Sequence, residues 1–403
     1  MKLSLAWIFD HIDVEPGSWQ QFDIALIAQR FNEVTAEIEH IHPHSLDLQR
    51  FYLAFAQQDT WLIDETNEQV DLPSRANADL IDGRIGDTAY LVKKIATGYA
   101  WATLQDFSVE SDRLVPAVYA PISMRHGAWK KLWEAQDFII EVDNKSITHR
   151  PDVWSHRGFA REIAPFIGKK IKAVDAFLLP HAVVRVEKDH ASSPTQADFV
   201  IKNEASDLCK AFNGLYISSI QNRACDIKIL GRLMAVGAKP LNALVDLTNY
   251  VTLDWGQPVH AYDADKIVDR TVKIRKARDG EVLELLDGNS ITLTGEDLVI
   301  ADAVKPMCLA GVKGGMQDSV SASTKAIFFE AANFEAGAVR RSALRHKTRT
   351  DSSARFEKTL DRNLALEAVH RFLSLMKTIS LSYQVQQPII ALGIPAQPNK
   401  IQV

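Results

Sequence analysis

The sequence predicts a multidomain protein of the α+β class. Two patterns predict this class: apolar residues recur at helical spacing in several segments, and polar and apolar residues alternate in others, as in half-buried strands. The chain has 403 residues and a mass of 45.0 kDa, which is enough for two to four domains. Hydrophobic residues make up 46% of it, so its cores need no disulfide or metal.

The N-terminal segment predicts a helix followed by a strand. Apolar residues at helical spacing indicate a helix at 18–31, and residues 34–44 then alternate as in a strand. His40, His42 and His44 would share one face of that strand. Because no carboxylate or thiol partner is nearby, we interpret this face as a surface rather than a metal site.

Residues 46–135 predict a small β-rich domain whose function the sequence does not indicate. Its β-like runs are separated by polar turns. They lie at 51–56, 60–63, 89–95 and 99–107.

A second α+β region begins near residue 196. A helix that ends at Gly237 is followed by another, with Pro240 expected in its first turn. Asp287 and Gly288 lie between two apolar runs and predict a β-hairpin. The other elements predicted here are buried strands at 298–301 and 326–329 and a long helix at 361–378.

The charge of the chain argues against binding nucleic acid mainly through its phosphates. The net charge is −5 and the isoelectric point about 6.2, whereas such proteins usually carry a strong basic excess. A local basic run that contains Arg340, Arg341, Arg345 and Arg349 is the best candidate for an RNA contact. A solvated helix face explains this run equally well.

The cysteines and the N-terminus indicate a cytoplasmic protein. Three scattered cysteines lack the spacing of a disulfide framework or a zinc site, which suits a reducing compartment. Asp10 and Asp13 interrupt the apolar N-terminal stretch before it reaches the length of a signal-peptide core or a membrane span. We therefore expect no metal site and no membrane contact.

Four patches carry residue types that are typical of functional sites. On the helix after Pro240, Asn242, Asp246 and Asn249 fall on one face, where a merely solvated helix would more often carry Lys and Glu. His260 follows a turn with glycine and proline, where a histidine can act as a base or orient water. Taken alone, His260 would more often be structural.

The other two patches are a glycine-rich turn and a carboxylate. Gly311, Gly314 and Gly315 would let the backbone approach a ligand closely, with an ordinary tight turn as the alternative. No Gly-Lys-Ser/Thr follows, which argues against a nucleotide P-loop. Glu330 closes an apolar run that predicts a buried strand, and a carboxylate there is costly unless it is paired or used.

Taken in order, these patches resemble the motifs of the editing domain of bacterial phenylalanyl-tRNA synthetase β subunits. Several motifs in the family's own order are far more specific than any one of them. The segments that carry the resemblance are 3–14, 144–152, 158–163, 245–251, 256–263, 309–315, 330–332 and 349–357.

The resemblance implies how the chain is organised. Residues 1–45 and 136–195 would form an α/β N-terminal domain in two segments. Residues 46–135 would replace the family's OB-fold tRNA-binding domain or be a diverged form of it, because the usual His-Pro-Asn-Ala-Asp-Lys signature is absent. Residues 196–395 would be the editing domain and 396–403 the start of a truncated next domain, so we expect the chain to be a fragment.

The resemblance also implies a function. In the family, an α subunit with ATP and Mg²⁺ charges tRNA(Phe) within an (αβ)₂ heterotetramer, and the β subunit hydrolyses mischarged Tyr-tRNA(Phe). A pocket for an apolar side chain rejects an added hydroxyl only by about a hundredfold, so a second site that binds the hydroxyl is needed. The expected partners are thus tRNA(Phe) and the α subunit, and no cofactor is expected in this chain itself.

Each candidate residue receives a role from the resemblance. Glu330 would accept the phenolic hydroxyl of tyrosine. His260, Asn249 and Thr248 would lie at the ester and its water, with His260 as base or orienter and attack assisted by a ribose hydroxyl equally open. The pocket wall is assigned to Gly311, Gly314, Gly315, Thr350 and Ser352.

One departure from the family and two alternative functions accompany this hypothesis. Lys313 occupies a position that is generally apolar in the family, so the glycine turn would be packed or charged differently. The chain could instead be a non-catalytic structural or tRNA-binding fragment, against which the intact candidate set argues. It could also be a free-standing hydrolase acting in trans, which would have no need of the N-terminal domain.

Overall fold

The computed structural model describes residues 1–73, 87–143, 145–186 and 199–393, together with the backbone of 189 and 190. Asn144 and residues 396–403, for which the sequence makes predictions, lie outside the described residues. The helices in the described part are α1 (Leu5–Asp10), α2 (Ile24–Val34), α3 (His156–Phe166), α4 (Ile227–Ala235), α5 (Ala243–Trp255), α6 (Ala336–Arg345), α7 (Asp351–Phe356) and α8 (Arg362–Thr378).

The strands in the same residues belong to several sheets, and the predicted α+β class is confirmed. In chain order they are β1 (Lys2–Ser4), β2 (Ile38–Ser45), β3 (Phe51–Ala56), β4 (Trp61–Ile63), β5 (Gln69–Val70), β6 (Thr88–Ile95), β7 (Gly98–Trp101), β8 (Val118–Tyr119), β9 (Gln136–Val142), β10 (Val183–Val186), β11 (Asp189–His190), β12 (Val200–Asn203), β13 (Cys209–Ser218), β14 (Cys225–Asp226), β15 (Val259–Asp263), β16 (Thr271–Lys276), β17 (Val282–Glu284), β18 (Ser290–Thr292), β19 (Leu298–Ala301), β20 (Pro306–Leu309), β21 (Lys313–Gly314), β22 (Ile327–Phe334), β23 (Gln384–Val385) and β24 (Ile389–Leu392).

Two compact units divide the chain, and their limits differ from the predicted domain boundaries. The first unit consists of Met1–Ile147, His156–Lys172 and Asn222–Tyr250. The second contains the described residues of the remaining segments, which begin at residues 148, 173 and 251. The segment 222–250, predicted as part of the domain that starts at 196, therefore groups with the N-terminal residues.

The N-terminal part of the first unit is a three-stranded antiparallel sheet in the order β1-β9-β2. The predicted helix at 18–31 is wrong in its limits, because Asp23 caps α2 by accepting a hydrogen bond from the Leu26 amide, and 18–21 form a separate 3₁₀ turn. The predicted strand at 34–44 is also shifted, because Val34 still belongs to α2 and β2 begins at Ile38.

The predicted β-rich segment forms a seven-stranded sheet in the order β14-β8-β6-β3-β4-β5, with β7 paired to β6. The run predicted at 99–107 is a strand only as far as Trp101, because Thr103 and Asp106 then cap a short 3₁₀ helix. The edge strand β14 comes from more than a hundred residues further along the chain and pairs in parallel with β8. α4 completes the core of this sheet, where Gly231 packs against the ring of Trp133.

The second unit is built from two six-stranded sheets that share one hydrophobic core. The first has the order β10-β24-β13-β22-β15, with β23 on β13, and the second has the order β11-β12-β16-β19-β20-β21. Side chains alternate along β22, so that Phe329 stacks on Phe372 of α8 at 4.1 Å while Phe328 contacts Phe199 at 4.9 Å on the other face. The even-numbered side chains of β22 therefore lie between the sheets.

Local signals in residues 222–393 predicted the elements there unevenly. The helix predicted at 361–378 is confirmed as α8, which Asp361 caps, and the hairpin at Asp287 and Gly288 is confirmed between β17 and β18. Pro240 lies before α5, because α5 begins only at Ala243. The predicted strand end at Glu330 is wrong, since β22 continues to residue 334.

In the part of the chain that the structure describes, no helix combines the length and apolar character needed to cross a membrane.

Candidate functional site

Two neighbouring strands place the main candidate side chains next to each other. β15 and β22 are antiparallel, and His260 is directly opposite Glu330 in their register. Tyr262, two residues further along β15, lies on the same face, with its ring centroid 4.5 Å from that of His260. The predicted histidine and glutamate are thus brought together in the layer between the two sheets.

Glu330 is held by a phenol of the chain itself. It is 5% exposed, and its Oε2 accepts a hydrogen bond from the hydroxyl of Tyr262 at 2.6 Å. Burial raises the pKa of Glu330 to about 7, against the opposing effect of this hydrogen bond. Burial also raises the pKa of the nearby thiols of Cys209 and Cys308, which the charge of Glu330 raises further.

His260 is neutral and has a free ring nitrogen. Burial lowers its pKa to about 4, so the imidazole carries no charge at pH 7. Its Nε2 is buried without a hydrogen-bond partner among the described residues. A Cβ at Gly314 would lie 2.6 Å from Cε1 and 2.7 Å from Nε2 of this ring, so only glycine leaves room for the imidazole.

Packing requires glycine at two further positions of this turn. Gly311 has a φ of 70°, and a Cβ there would lie 2.9 Å from a methyl of Val339 and 3.2 Å from the ring of Phe356. A Cβ at Gly315 would lie 2.6 Å from the carbonyl oxygen of Met307. The three predicted glycines therefore let this turn pack against the core and His260.

Two other predicted features adjoin this turn. The hydroxyl of Thr350 donates to the carbonyl of Val312 at 2.7 Å and caps α7, while Ser352 is half-buried on the same helix. Lys313 forms an ion pair with Asp287 at 2.7 Å, which joins the turn to the β17–β18 hairpin. Asp287 therefore balances the charge that Lys313 brings to the turn.

Thr248 and Asn249 lie on α5, in the portion that belongs to the first unit. The hydroxyl of Thr248 donates to the carbonyl of Val245 at 2.7 Å, and Asn249 is exposed. Asn242 and Asp246, predicted on the same polar face, are buried near the start of the helix, where Asn242 accepts from the Val245 amide. Their contacts give these two residues a structural role.

All four arginines of the basic run are exposed, and they differ in how tightly carboxylates hold them. Arg340 and Arg341 are exposed on α6, whereas Arg345 is paired with the buried carboxylate of Asp297. Arg349 is exposed and pairs with Glu357 at 3.1 Å. Arg341 lies 3.7 Å from a carboxylate oxygen of Glu335, a longer contact than those of Arg345 and Arg349, so Arg340 and Arg341 are the least tightly paired of the four.

Asp297 is the centre of a buried network that sequence reasoning missed. It is fully buried and accepts hydrogen bonds from the hydroxyl of Ser342 at 2.7 Å, from His346 at 2.9 Å and from Arg345. Burial alone would raise the pKa of Asp297, but the hydrogen bonds from Ser342, His346 and the amide of Thr294 outweigh it and hold the pKa below its usual range.

In the described residues, no group of three or more His, Cys, Asp or Glu side chains is arranged to hold a metal ion. His40 and His42 are exposed on β2 and His44 is half-buried, so the prediction of a surface face is confirmed. The three cysteines are buried and free.

A family model described as the B3/4 domain matches residues 208–380. These residues are thus similar to the B3/4 domain. The matched segment includes His260, Glu330, the glycine turn and Thr350, and also the α5 residues Thr248 and Asn249. The segment 222–250 thus belongs to the B3/4 match in sequence while it groups with the first compact unit in space.

The chain is also similar to curated phenylalanine–tRNA ligase β subunits, and the predicted resemblance is confirmed. The protein from Solibacter usitatus is 36% identical over 245 residues, which cover 60% of this chain and 30% of the relative. The protein from Streptococcus pyogenes is 34% identical over 272 residues, or 67% of this chain and 32% of the relative. The chain spans about a third of the length of the curated relatives that it matches.

A crystal structure of an N-terminal fragment of the phenylalanyl-tRNA synthetase β subunit from Pyrococcus horikoshii also matches. It covers 56% of this chain and 69% of the fragment at 15% identity, and its TM-score of 0.27 is too low to establish a shared fold.

Tyr262 and Cys308 lie next to Glu330 at the candidate site, and sequence reasoning did not assign them. Tyr262 lies in the motif at 256–263, two residues after His260, and alternation along a strand would have placed both on one face. That segment carried no strand prediction, and contact with Glu330 depends on the register with β22.

Glu330→Gln is expected to stabilise the chain at pH 8 by up to about 3 kcal/mol. The pKa of Glu330 rises from 4.5 to about 7 on folding, so the folded chain binds more protons between these pH values and loses stability as the carboxyl ionises. The gain should therefore be complete above pH 7 and vanish near pH 4.5. Urea unfolding at pH 5 and pH 8 measures it.

The exposed Glu284 on β17 provides the control for this prediction. Glu284→Gln should change the free energy of unfolding by less than about 0.5 kcal/mol at both pH values. An equal gain for Glu330→Gln at pH 5 and pH 8 would contradict a cost of ionisation at this position.

Proposed function

We propose that this chain is the N-terminal part of a phenylalanine–tRNA ligase β subunit and that its B3/4 domain hydrolyses mischarged Tyr-tRNA(Phe). The names of its relatives support the first part of the proposal. The arrangement of Glu330, His260 and the glycine turn supports the second. The reaction is hydrolysis of the ester that joins the amino acid to the terminal ribose.

The observation that carries the proposal is that Glu330 already accepts a hydrogen bond from a tyrosine phenol, at 2.6 Å and in a buried setting. A carboxylate offers about four lone-pair positions, so a second phenol can bind to the same group. Phenylalanine would leave this buried acceptor without its second donor, which is how a polar site rejects an analogue that lacks a hydroxyl. Glu330 is therefore suited to distinguish tyrosine from phenylalanine.

His260 supplies the polar group beside the ester. During hydrolysis a water oxygen bonds to the ester carbonyl carbon, the bond from that carbon to the ribose oxygen breaks, and the ribose oxygen takes up a proton. The unpartnered Nε2 of the neutral imidazole can accept a hydrogen bond from the attacking water. Because a pKa of about 4 makes His260 a weak base at pH 7, orientation of the water is the role we favour.

The rest of the enzyme lies outside this chain in the proposal. The α subunit would bind ATP and Mg²⁺ and charge tRNA(Phe), and the two kinds of subunit would form an (αβ)₂ heterotetramer in the cytoplasm. Arg340 and Arg341 are the proposed phosphate contacts on the B3/4 domain, with smaller contributions from Arg345 and Arg349, since carboxylates hold these two more tightly than Glu335 holds Arg341. Thr248 and Asn249 are proposed to act at the ester.

Hydrolysis of purified Tyr-tRNA(Phe) and Phe-tRNA(Phe) by this chain tests the proposal. We expect selective release of tyrosine, a loss of roughly a thousandfold in selectivity for Glu330→Ala because the hydroxyl acceptor is removed, and a lower rate for His260→Ala. Glu284→Ala, an exposed glutamate of the same domain, should behave as the wild type.

The assay is repeated with the α subunit and the missing part of the β subunit. Activity that appears only in this assembly would support editing that depends on tRNA delivery from elsewhere. Selective hydrolysis by the isolated chain at the assembly's own rate would favour a hydrolase that acts in trans. If neither the isolated chain nor the assembly hydrolyses Tyr-tRNA(Phe), the editing proposal is refuted and a structural or tRNA-binding role remains.

A further inference from the structure

Among the described residues, Glu330 accepts a hydrogen bond through only one of its two carboxylate oxygens. Tyr262 donates to Oε2 at 2.6 Å, and in the described part of the chain no group donates to Oε1. His260, directly opposite on β15, carries its ring next to that of Tyr262 at a centroid distance of 4.5 Å. One carboxylate oxygen is therefore held by the protein, and the other has no donor among the described residues.

The ring of Tyr262 packs in the core, and phenylalanine could supply that packing equally well. The hydroxyl of Tyr262 therefore needs a separate explanation. Tyr262 is fully buried in the core between the sheets, where a hydroxyl costs free energy unless it is bonded. The hydroxyl meets this cost through Glu330, and the thiol of Cys308 lies close to it as well. Tyr262 and Glu330 are thus two buried polar groups, and each satisfies a hydrogen-bonding group of the other.

We infer that Tyr262 is a positioning residue for substrate selection: its phenol holds Oε2 of Glu330, so that Oε1 is presented to the phenolic hydroxyl of the substrate. This inference rests on the proposed function, because it assumes that Glu330 selects tyrosine. Tyr262 itself does not touch the reacting ester. It fixes the carboxylate in place and favours the ionised form that accepts hydrogen bonds.

Among the groups around Glu330, Tyr262 is the one that stabilises the ionised carboxylate. His260 and Tyr262 face the carboxylate from β15, Cys308 from β20 and Cys209 from β13. His260 is neutral at pH 7, and burial raises the pKa of both thiols, so none of these groups supplies a positive charge. The hydrogen bond from Tyr262 lowers the pKa of Glu330 against the effect of burial.

Two changes at position 262 should therefore move the pH dependence of selection in opposite directions. Tyr262→Phe removes the donor, so the pKa of Glu330 should rise above about 7. As the pH is lowered, the carboxyl of the variant should then be protonated, and the preference for tyrosine lost, at a higher pH than in the wild type. 3-Fluorotyrosine at the same position is a more acidic phenol and a stronger donor, so it should move this transition to lower pH.

The experiment measures kcat and KM for Tyr-tRNA(Phe) and Phe-tRNA(Phe) from pH 5.5 to 9, with the full chain or the assembly in which it is active. We expect Tyr262→Phe to raise KM for Tyr-tRNA(Phe) about tenfold with little change in kcat, because His260 and its water stay in place. Tyr216→Phe is the matched control, since Tyr216 is buried in the same core and its hydroxyl does not contact Glu330.

A second readout does not depend on hydrolysis. The ¹⁹F resonance of 3-fluorotyrosine at position 262 should titrate with the Glu330 carboxyl and lose this titration in Glu330→Gln. A wild-type chain that edits selectively, combined with unchanged pH profiles for both replacements, would overturn the role of Tyr262 and leave the proposed function standing. If the wild type hydrolyses neither substrate in the complete assembly, both the role of Tyr262 and the proposed function are overturned.

Discussion

Asp297→Ala is expected to lower the free energy of unfolding by about 3–5 kcal/mol. Asp297 is fully buried and accepts hydrogen bonds from Ser342, Arg345 and His346 on and next to α6, as well as from the amide and hydroxyl of Thr294. Removal of the carboxylate leaves the Arg345 guanidinium and these buried donors without their acceptor. Equilibrium unfolding in urea at pH 7 measures the loss.

The pH dependence of the Asp297 effect follows from its lowered pKa. Because the folded pKa lies below the ordinary value of 3.8, the stabilisation is present above that value and is lost as the pH falls through the folded pKa. The wild type and Asp297→Ala should therefore converge in stability as the pH is lowered below about 4.

Asp279→Ala is the control for Asp297→Ala. Asp279 is exposed and accepts a single hydrogen bond, from the Gly295 amide at 2.7 Å. Its removal should cost less than about 1 kcal/mol. A loss of this small size for Asp297→Ala as well would mean that the network around Asp297 contributes little to stability.

Gly314→Ala is expected to slow hydrolysis of Tyr-tRNA(Phe) by about a hundredfold. The added Cβ would lie 2.6 Å from Cε1 of His260, so either the imidazole or the β20–β21 turn must move. A displacement near 1 Å at a group that orients the attacking water is enough for such a loss. Single-turnover hydrolysis measures the effect on the chemical step, and Glu330 should still select tyrosine over phenylalanine.

Gly295→Ala provides a matched control for Gly314→Ala. A Cβ at Gly295 would be 3.6 Å from the nearest atom, which is an ordinary contact, and its φ is not in the left-handed region. This variant should hydrolyse at the wild-type rate. If Gly314→Ala does the same, His260 does not act on the water from its observed position.

Elements with local signals were predictable from the sequence, and elements set by distant pairing were not. α8 was predicted almost to the residue because Asp361 caps it and its apolar stripe is continuous. The prediction ended β22 before Glu330, because a carboxylate after the four apolar residues 326–329 resembles a strand end. Its pairing with β13 and β15 carries it on to residue 334.

The candidate site shows the same difference between residue type and arrangement. His260, Glu330 and the glycines were identifiable from their motifs, and the reason for Gly314 became apparent only from its contact with the imidazole. Tyr262 was missed because its value depends on the register that sets His260 opposite Glu330. Sequence spacing within one strand does not determine which side chain of the next strand it meets.

The parallel pairing of β14 with β8 has a consequence for the order in which the protein is made. During synthesis the first unit lacks its edge strand and α4 until the ribosome has passed residue 250, after the opening strands of the second unit have already emerged. Segments of the two units therefore alternate in the order of synthesis. No single cut in the backbone separates a complete first unit from a complete second unit.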